Sequence, residues 1–277
     1  MARNFFEMLD TKWGQGKFLC VGLDPNLEKI PESVRQSGTR ETIVAFNRAI
    51  VDATHDLVCA FKPNLAFYEV HGDEGSNALR ETIAYINEAA PDVPIVLDAK
   101  YADVDNSNTA YASAAFDYLR ADAVTVNPYP GSLALAPFLD RADKGIIIWC
   151  RSSNKGAGEF QDLQIDGERL YTVVARNVVE KWNKNKNCAL VVGATYPDEL
   201  REIRALIGDM PILVPGIGAQ NGDLETSVKA GKSQSGRGLI LNASRAIIYA
   251  SSKDDFAKAA RAKAEEFHSA IKRALVE

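Results

Sequence analysis

The stretch Val93-Pro-Ile-Val-Leu-Asp-Ala-Lys-Tyr-Ala-Asp103 carries a fold-deciding element and a charge pattern side by side. Its first half, VPIVL, is continuously apolar, as a strand covered on both faces must be. Seven further runs of this kind punctuate the chain: 18–24 (FLCVGLD), 57–64 (LVCAFKPN), 123–129 (AVTVNPY), 145–153 (GIIIWCRSS), 188–195 (CALVVGAT), 211–218 (PILVPGIG) and 238–244 (GLILNAS). Between them the apolar spacing becomes helical. One helix begins at Thr42 and continues through Ile50 and Val51. Others run near 78–89, 107–119, 168–182, 197–207 and 253–273. Pro197 falls in the first turn of its helix, where a missing N–H costs nothing.

Eight strand–helix alternations in a chain of 277 residues predict an α/β protein, a single (β/α)8 barrel over 1–277. The main alternative is a doubly wound open sheet. That fold usually has fewer strands, and no GxGxxG follows the first strand here. The first ~15 residues are expected to form an extra helix closing the barrel bottom. No composition shift marks a linker, and no low-complexity tract occurs.

Composition narrows the class. Hydrophobic residues make up 46% and charged residues 25%, which argues against disorder, a fibre or a disulfide scaffold. No apolar run approaches the ~20 residues that span a bilayer. Acidic residues interrupt the opening MARNFFEMLDTKWG, so it does not read as a secretory leader. A net charge of −5 disfavours nucleic acid, yet allows a local basic pocket for one phosphate. Cys20, Cys59, Cys150 and Cys188 each lie in an apolar run and form no CxxC pair. They read as buried reduced thiols, which suits a cytoplasmic protein. His55, His71 and His268 are far apart, so no transition-metal site is expected.

The strand ends are unequal. Asp24, Lys62, Asn64, Asp98, Lys100, Asn127, Ser152, Ser153, Gly216, Gly218, Asn242 and Ser244 all cluster at C-terminal ends. That is the face on which such barrels build active sites. Along a strand, Asp98 and Lys100 share a side, while Asp103 lies beyond the strand end. A bare DxK is also what a buried ion pair finishing a strand looks like. Asp24 and Lys62, at the ends of other strands, bring four or five charges to one mouth; burying them is costly unless they pair well, and such clusters tend to be functional. After the seventh strand, Pro215-Gly216-Ile217-Gly218-Ala219-Gln220 lets backbone N–H groups approach an anion. Asn242-Ala243-Ser244-Arg245 follows the eighth and supplies a guanidinium fork. Together they predict a phosphate site, which these barrels place after strands seven and eight.

These residues resemble the orotidine 5′-phosphate decarboxylase family, in its longer bacterial branch, through nearly the whole chain. Asp98, Lys100 and Asp103 match its DxKxxD motif. VGLDPN (21–26), FKPN (61–64), RSSN (151–154), PGIGAQ (215–220) and NASR (242–245) match its site segments. The resemblance implies a cofactor-independent, metal-free lyase that converts orotidine 5′-phosphate to UMP. It makes Lys100 the proton donor to C6, within a network of Lys62, Asp98 and Asp103. It implies a homodimer in which Asp103 enters the partner's site. It further implies that Asp24 and Ser107 meet the ribose and Ser153 the pyrimidine edge. Pro215, Gly216, Gly218, Gln220, Ser244 and Arg245 would then surround the phosphate. The branch pattern is not followed everywhere: Tyr101-Ala102 stands for Arg-Gly, Val104 for Ile, Asp105 for Gly, Ser107 for Thr, Lys155 for Pro and Asn221 for Gly. Two other readings share the barrel: a related sugar-phosphate lyase or aldolase, often metal-dependent, and a nucleotide-binding barrel without turnover.

Overall fold

The computed structural model describes residues 3–218 and 223–276. Eight parallel strands follow the chain: β1 (Leu19–Leu23), β2 (Val58–Pro63), β3 (Val96–Tyr101), β4 (Ala123–Val126), β5 (Gly145–Arg151), β6 (Cys188–Val192), β7 (Ile212–Pro215) and β8 (Leu239–Ala243). Ladders join them in the order β2-β1-β8-β7-β6-β5-β4-β3. The bridges Phe61↔Ile95 and Asn64↔Asp98 bring β2 onto β3, so the sheet closes. Closure excludes the open doubly wound sheet. β1, β2, β4, β6 and β8 are buried along their whole length. Their Val, Ile and Leu content therefore serves the lumen on one face and the helical layer on the other.

Helices α1 (Phe5–Gly14), α2 (Thr39–Thr54), α3 (Gly72–Ala89), α4 (Asp105–Ser113), α5 (Gly131–Leu139), α6 (Leu170–Asn177), α7 (Pro197–Ile207), α8 (Leu224–Gly231) and α9 (Phe256–Val276) complete the layer. The helix α2 buries Ile43, Val44, Phe46, Ile50 and Val51, a stripe at 3.6 spacing.

Helix α1 is the extra N-terminal helix, and it does close the bottom. Asn4 caps it by accepting from the Phe6 and Glu7 amides. The Trp13 indole donates to the Leu239 carbonyl at 2.8 Å, where β8 begins. Arg3 pairs with Asp122 at 2.6 Å, just before β4. Lys12, fully buried, pairs with Asp92 at 2.5 Å, just before β3.

The structure departs from the sequence expectations in three places. Helix α5 was not legible, because GSLALAPFL is apolar all round and contains Pro137, so no stripe stands out. The run 168–182 is not one helix. Glu168 and Arg169 finish a two-stranded hairpin with Gln164–Ile165, and α6 starts at Leu170. Beyond α4 and α6 the helices widen into π turns at Ala114–Tyr118 and Val178–Trp182. All four cysteines are free and buried. Among the described residues no helix is long and apolar enough to cross a membrane.

Candidate active site

The strand β3 breaks its ladder at the charged residues. Leu97 pairs with Val124 and Tyr101 with Val126, so Asp98, Ala99 and Lys100 together face the single residue Thr125. Such a bulge re-aims side chains at a barrel rim. Lys100 carries φ 51°, a left-handed conformation that costs a side-chain-bearing residue on the order of 1–3 kcal/mol. The plain two-residue alternation expected for Asp98 and Lys100 is therefore replaced by a turn in the backbone. The two side chains still meet: Lys100 Nζ donates to Asp98 Oδ1 at 2.6 Å.

Asp98 is the hub. Its second oxygen, Oδ2, accepts from Lys62 Nζ at 2.6 Å. Thr125 Oγ1 donates to Oδ1 at 3.1 Å and accepts from the Lys100 amide at 2.9 Å. Lys62 and Asp98 are buried, with 3% and 9% of their surface exposed, whereas Lys100 is more open. Burial alone would raise the Asp98 pKa, but the Lys62 and Lys100 charges outweigh it and hold the carboxyl well below the usual range. Burial alone would also lower the Lys62 pKa; Asp98 and then Asp24 overcome it and push the ammonium above an ordinary lysine. Both groups are thus charged at neutral pH.

These residues open into a cavity of about 280 Å³ at the C-terminal ends of the strands. Its lining brings together Asp24, Lys62, Asp98, Lys100, Ser153, Pro215, Gly216, Ser244 and Arg245 from the sequence reading. The lining also contains Asn64, Trp149, Asn154 and Asn242. Asp24 Oδ1, Asn242 Oδ1 and Ser244 Oγ are buried without a hydrogen-bond partner among the described residues. Buried polar atoms are normally satisfied, so three together point to a polar ligand. Gly22 makes this wall possible, since a Cβ there would lie 2.6 Å from Ser244 Cβ.

The remaining walls are held from outside. Tyr249 Oη donates to the Asp24 carbonyl at 3.1 Å, and Tyr68 Oη to the Leu23 carbonyl at 3.1 Å. The segment after β5 rests on the one after β6: Thr195 Oγ1 donates to the Ser153 carbonyl and Tyr196 Oη to that of Asn154. Arg151, fully buried, stacks on the Tyr196 ring at 4.0 Å and pairs with Asp162 at 3.2 Å. Gly216 and Gly218 have φ of 96° and 76°, the left-handed turn that favours glycine. Arg245 opens a short helix, Arg245–Ile248, with its guanidinium exposed and in no ion pair among the described residues.

Other sequence candidates lie outside this cavity. Asp103 and Ser107 are exposed at the start of α4. Asp103 Oδ1 accepts from the Val104 amide at 2.7 Å. Gly218 is exposed just past the lining. Gln220 lies outside the described residues. Among the described residues no group of three or more His, Cys, Asp or Glu side chains is arranged to hold a metal.

Thr125 and Asn242 escaped the sequence reading of roles. Thr125 sits in an ordinary AVTVN strand, and only the bulge opposite it gives its hydroxyl a task. Asn242 reads in sequence as a polar strand end and as the first residue of NASR, with no role of its own.

Known proteins share this sequence and this fold. Residues 17–262 match the model of the orotidine 5′-phosphate decarboxylase / HUMPS family. The chain is similar to orotidine 5′-phosphate decarboxylase of Cellvibrio japonicus, 50% identical over 260 residues, with 94% of each chain covered. It is similar to that of Cupriavidus metallidurans, 48% identical over 270 residues, covering 97% of this chain and 98% of the relative. Among solved structures it resembles Leishmania donovani OMP decarboxylase, with a TM-score of 0.86, 36% identity and 99% of each chain covered.

Proposed function

We infer the chemistry of this site from one premise: the chain belongs to the orotidine 5′-phosphate decarboxylase / HUMPS family. It is a carbon–carbon lyase that decarboxylates orotidine 5′-phosphate to uridine 5′-phosphate in pyrimidine biosynthesis. How its own residues carry that reaction is the proposal. Loss of CO2 leaves an sp2 carbanion at C6 with little conjugation, so the barrier is high. Only interactions stronger in the transition state than in the bound substrate lower it. The observation that carries the assignment is the Lys62–Asp98–Lys100 chain of 2.6 Å contacts at the cavity floor.

Lys100 is the proton donor. Its ammonium, fixed beside C6, stabilises the developing negative charge and then delivers a proton to the carbon. Asp98 pins the Lys100 side chain, and Lys62 anchors Asp98 from the opposite side. Asp24 takes the ribose hydroxyls and Ser153 the pyrimidine edge. Pro215, Gly216, Gly218, Gln220, Ser244 and Arg245 form the phosphate end. Cations thus stand at both ends of an anionic substrate, and phosphate binding energy serves the reaction at the distant ring.

Among the described residues Asp103 is exposed and, like Ser107, does not line its own chain's cavity, which supports a homodimer in which Asp103 completes the partner's site. The whole of 1–277 acts as one catalytic unit, and four buried thiols suit a cytoplasmic setting. A Schiff-base aldolase is disfavoured, because such a lysine must be free to attack a carbonyl, and both mouth lysines are tied to one carboxylate at 2.6 Å. The test follows orotate absorbance after adding orotidine 5′-phosphate in the presence of a chelator. A falling signal with UMP as product is expected. No loss, or loss abolished by the chelator, would overturn the metal-free decarboxylase.

A further inference from the structure

We propose that Thr125 is a positioning residue of this reaction: its hydroxyl locks the β3 bulge that aims the Lys100 ammonium. The inference rests on the decarboxylase reading above. Where Asp98, Ala99 and Lys100 crowd opposite one residue, the regular ladder cannot satisfy the strand's backbone. The Lys100 amide finds its acceptor in a side chain instead, Thr125 Oγ1 at 2.9 Å.

The direction of each bond is set by the groups involved. An amide only donates, so Oγ1 accepts from Lys100. The hydroxyl proton is left for an acceptor, and an ionised carboxylate only accepts. Thr125 therefore donates to Asp98 Oδ1 at 3.1 Å, the same oxygen that takes the Lys100 ammonium at 2.6 Å. The result is a closed ring: Lys100 amide, Thr125 hydroxyl, Asp98 carboxylate, Lys100 ammonium. One lysine is held at both its backbone and its tip by one hydroxyl and one carboxylate.

Two observations make the hydroxyl hard to replace. Thr125 is 1% exposed, so bulk water has no route to substitute for it. Lys100 sits at φ 51°, a conformation that persists only when its surroundings impose it. Valine has the shape of threonine but neither bond. It would leave the Lys100 amide unpaired and free the bulge to relax toward a regular strand.

The experiment compares Thr125→Val, Thr125→Ser and the wild type on orotidine 5′-phosphate, with active-site concentration set by UMP-binding stoichiometry. A misplacement near 1 Å costs on the order of 100-fold, so Thr125→Val should lower kcat roughly 10- to 100-fold. KM and the Kd for UMP should stay within about twofold, since the cavity's binding walls are untouched. Thr125→Ser keeps the hydroxyl and should return to within about threefold of wild type. A merely structural role would lower the number of binding-competent sites and leave kcat per site unchanged. If Thr125→Val does not fold, Thr125→Ala, which fits the same space, serves as the hydroxyl-free variant. Wild-type kcat per site in the hydroxyl-free variant, or a serine variant as slow as valine, would overturn the proposal. A wild type inert on orotidine 5′-phosphate would instead overturn the reading on which it rests.

Discussion

Asp98→Asn changes one atom and should destabilise the protein severely. The native carboxylate lies between two ammonium groups at 2.6 Å each. An amide in its place turns an N–H toward one of them, so two donors face each other. Lys62 has 3% of its surface exposed and cannot recover water. Breaking a buried pair by removing one partner costs about 3–5 kcal/mol. The Lys100 contact adds little to that figure, since its side chain is 39% exposed. With a urea m-value on the order of 3 kcal/mol/M for a chain this size, the midpoint should fall by about 1–1.7 M at pH 7.

The pH dependence of Asp98→Asn follows from the sign of each shift. The native Asp98 pKa is depressed, so its contribution is present above the unfolded value near ~3.9 and is lost as pH falls through the native one. The native Lys62 pKa is raised, so its contribution is complete below ~10.4 and is lost only as pH rises through the native value. The gap between wild type and variant should therefore hold from about pH 5 to 9, begin to narrow below ~4 and close only as pH falls on through the native value. Adding Lys62→Met removes the stranded ammonium and should recover at least about half of the loss. Denaturation curves at fixed protein concentration read all of this. A midpoint within about 0.3 M of wild type at pH 7, or a gap as wide at about pH 2 as at pH 7, would refute the buried-pair reasoning.

Arg245→Ala should weaken kcat/KM for the nucleotide by about 2–5 kcal/mol and that for the nucleoside lacking phosphate far less; equal losses would remove Arg245 from the phosphate end. Burial pushes the Cys20, Cys150 and Cys188 thiols up to about 12, so a thiol reagent at pH 8 should label no cysteine in native protein and all four after denaturation. Asp103→Asn and Lys100→Ala proteins, each weak alone, should regain up to about half of wild-type activity per heterodimer when mixed, because one site then carries both lesions and the other none. Lys62→Ala mixed with Lys100→Ala should show no rescue. Proven subunit exchange without rescue of the Asp103 pair would place Asp103 within its own chain's site.

The fold was legible because every barrel strand is a short apolar run ending in polar or glycine residues, a pattern that closure in parallel demands. The meeting of Gly216 and Arg245 at one cavity was legible for the same reason: both lie where the barrel places them, after β7 and β8. Helix α5 was hidden because periodicity reads stripes, and a segment buried on several sides has none. The bulge was hidden because it is a property of register, which two strands share and neither sequence states alone. That is why Asp98 and Lys100 were found by a strand rule that their own backbone breaks. Arg151 shows the limit of residue type, since a charged RSSN segment gave no sign that its guanidinium would be buried against Tyr196.

In the proposed reaction the Lys100 ammonium stabilises the carbanion and then protonates it. This role is tested most directly by single-site turnover of Lys100→Ala on orotidine 5′-phosphate, beside a measurement of UMP binding and a circular dichroism spectrum. Proton donation and preorganised charge are each worth at least about 100-fold, so the variant should lose roughly 10⁴-fold or more in kcat. It should keep the fold and bind UMP with an affinity near that of the wild type. A folded, UMP-binding Lys100→Ala protein that retains more than a few per cent of wild-type turnover would contradict the account.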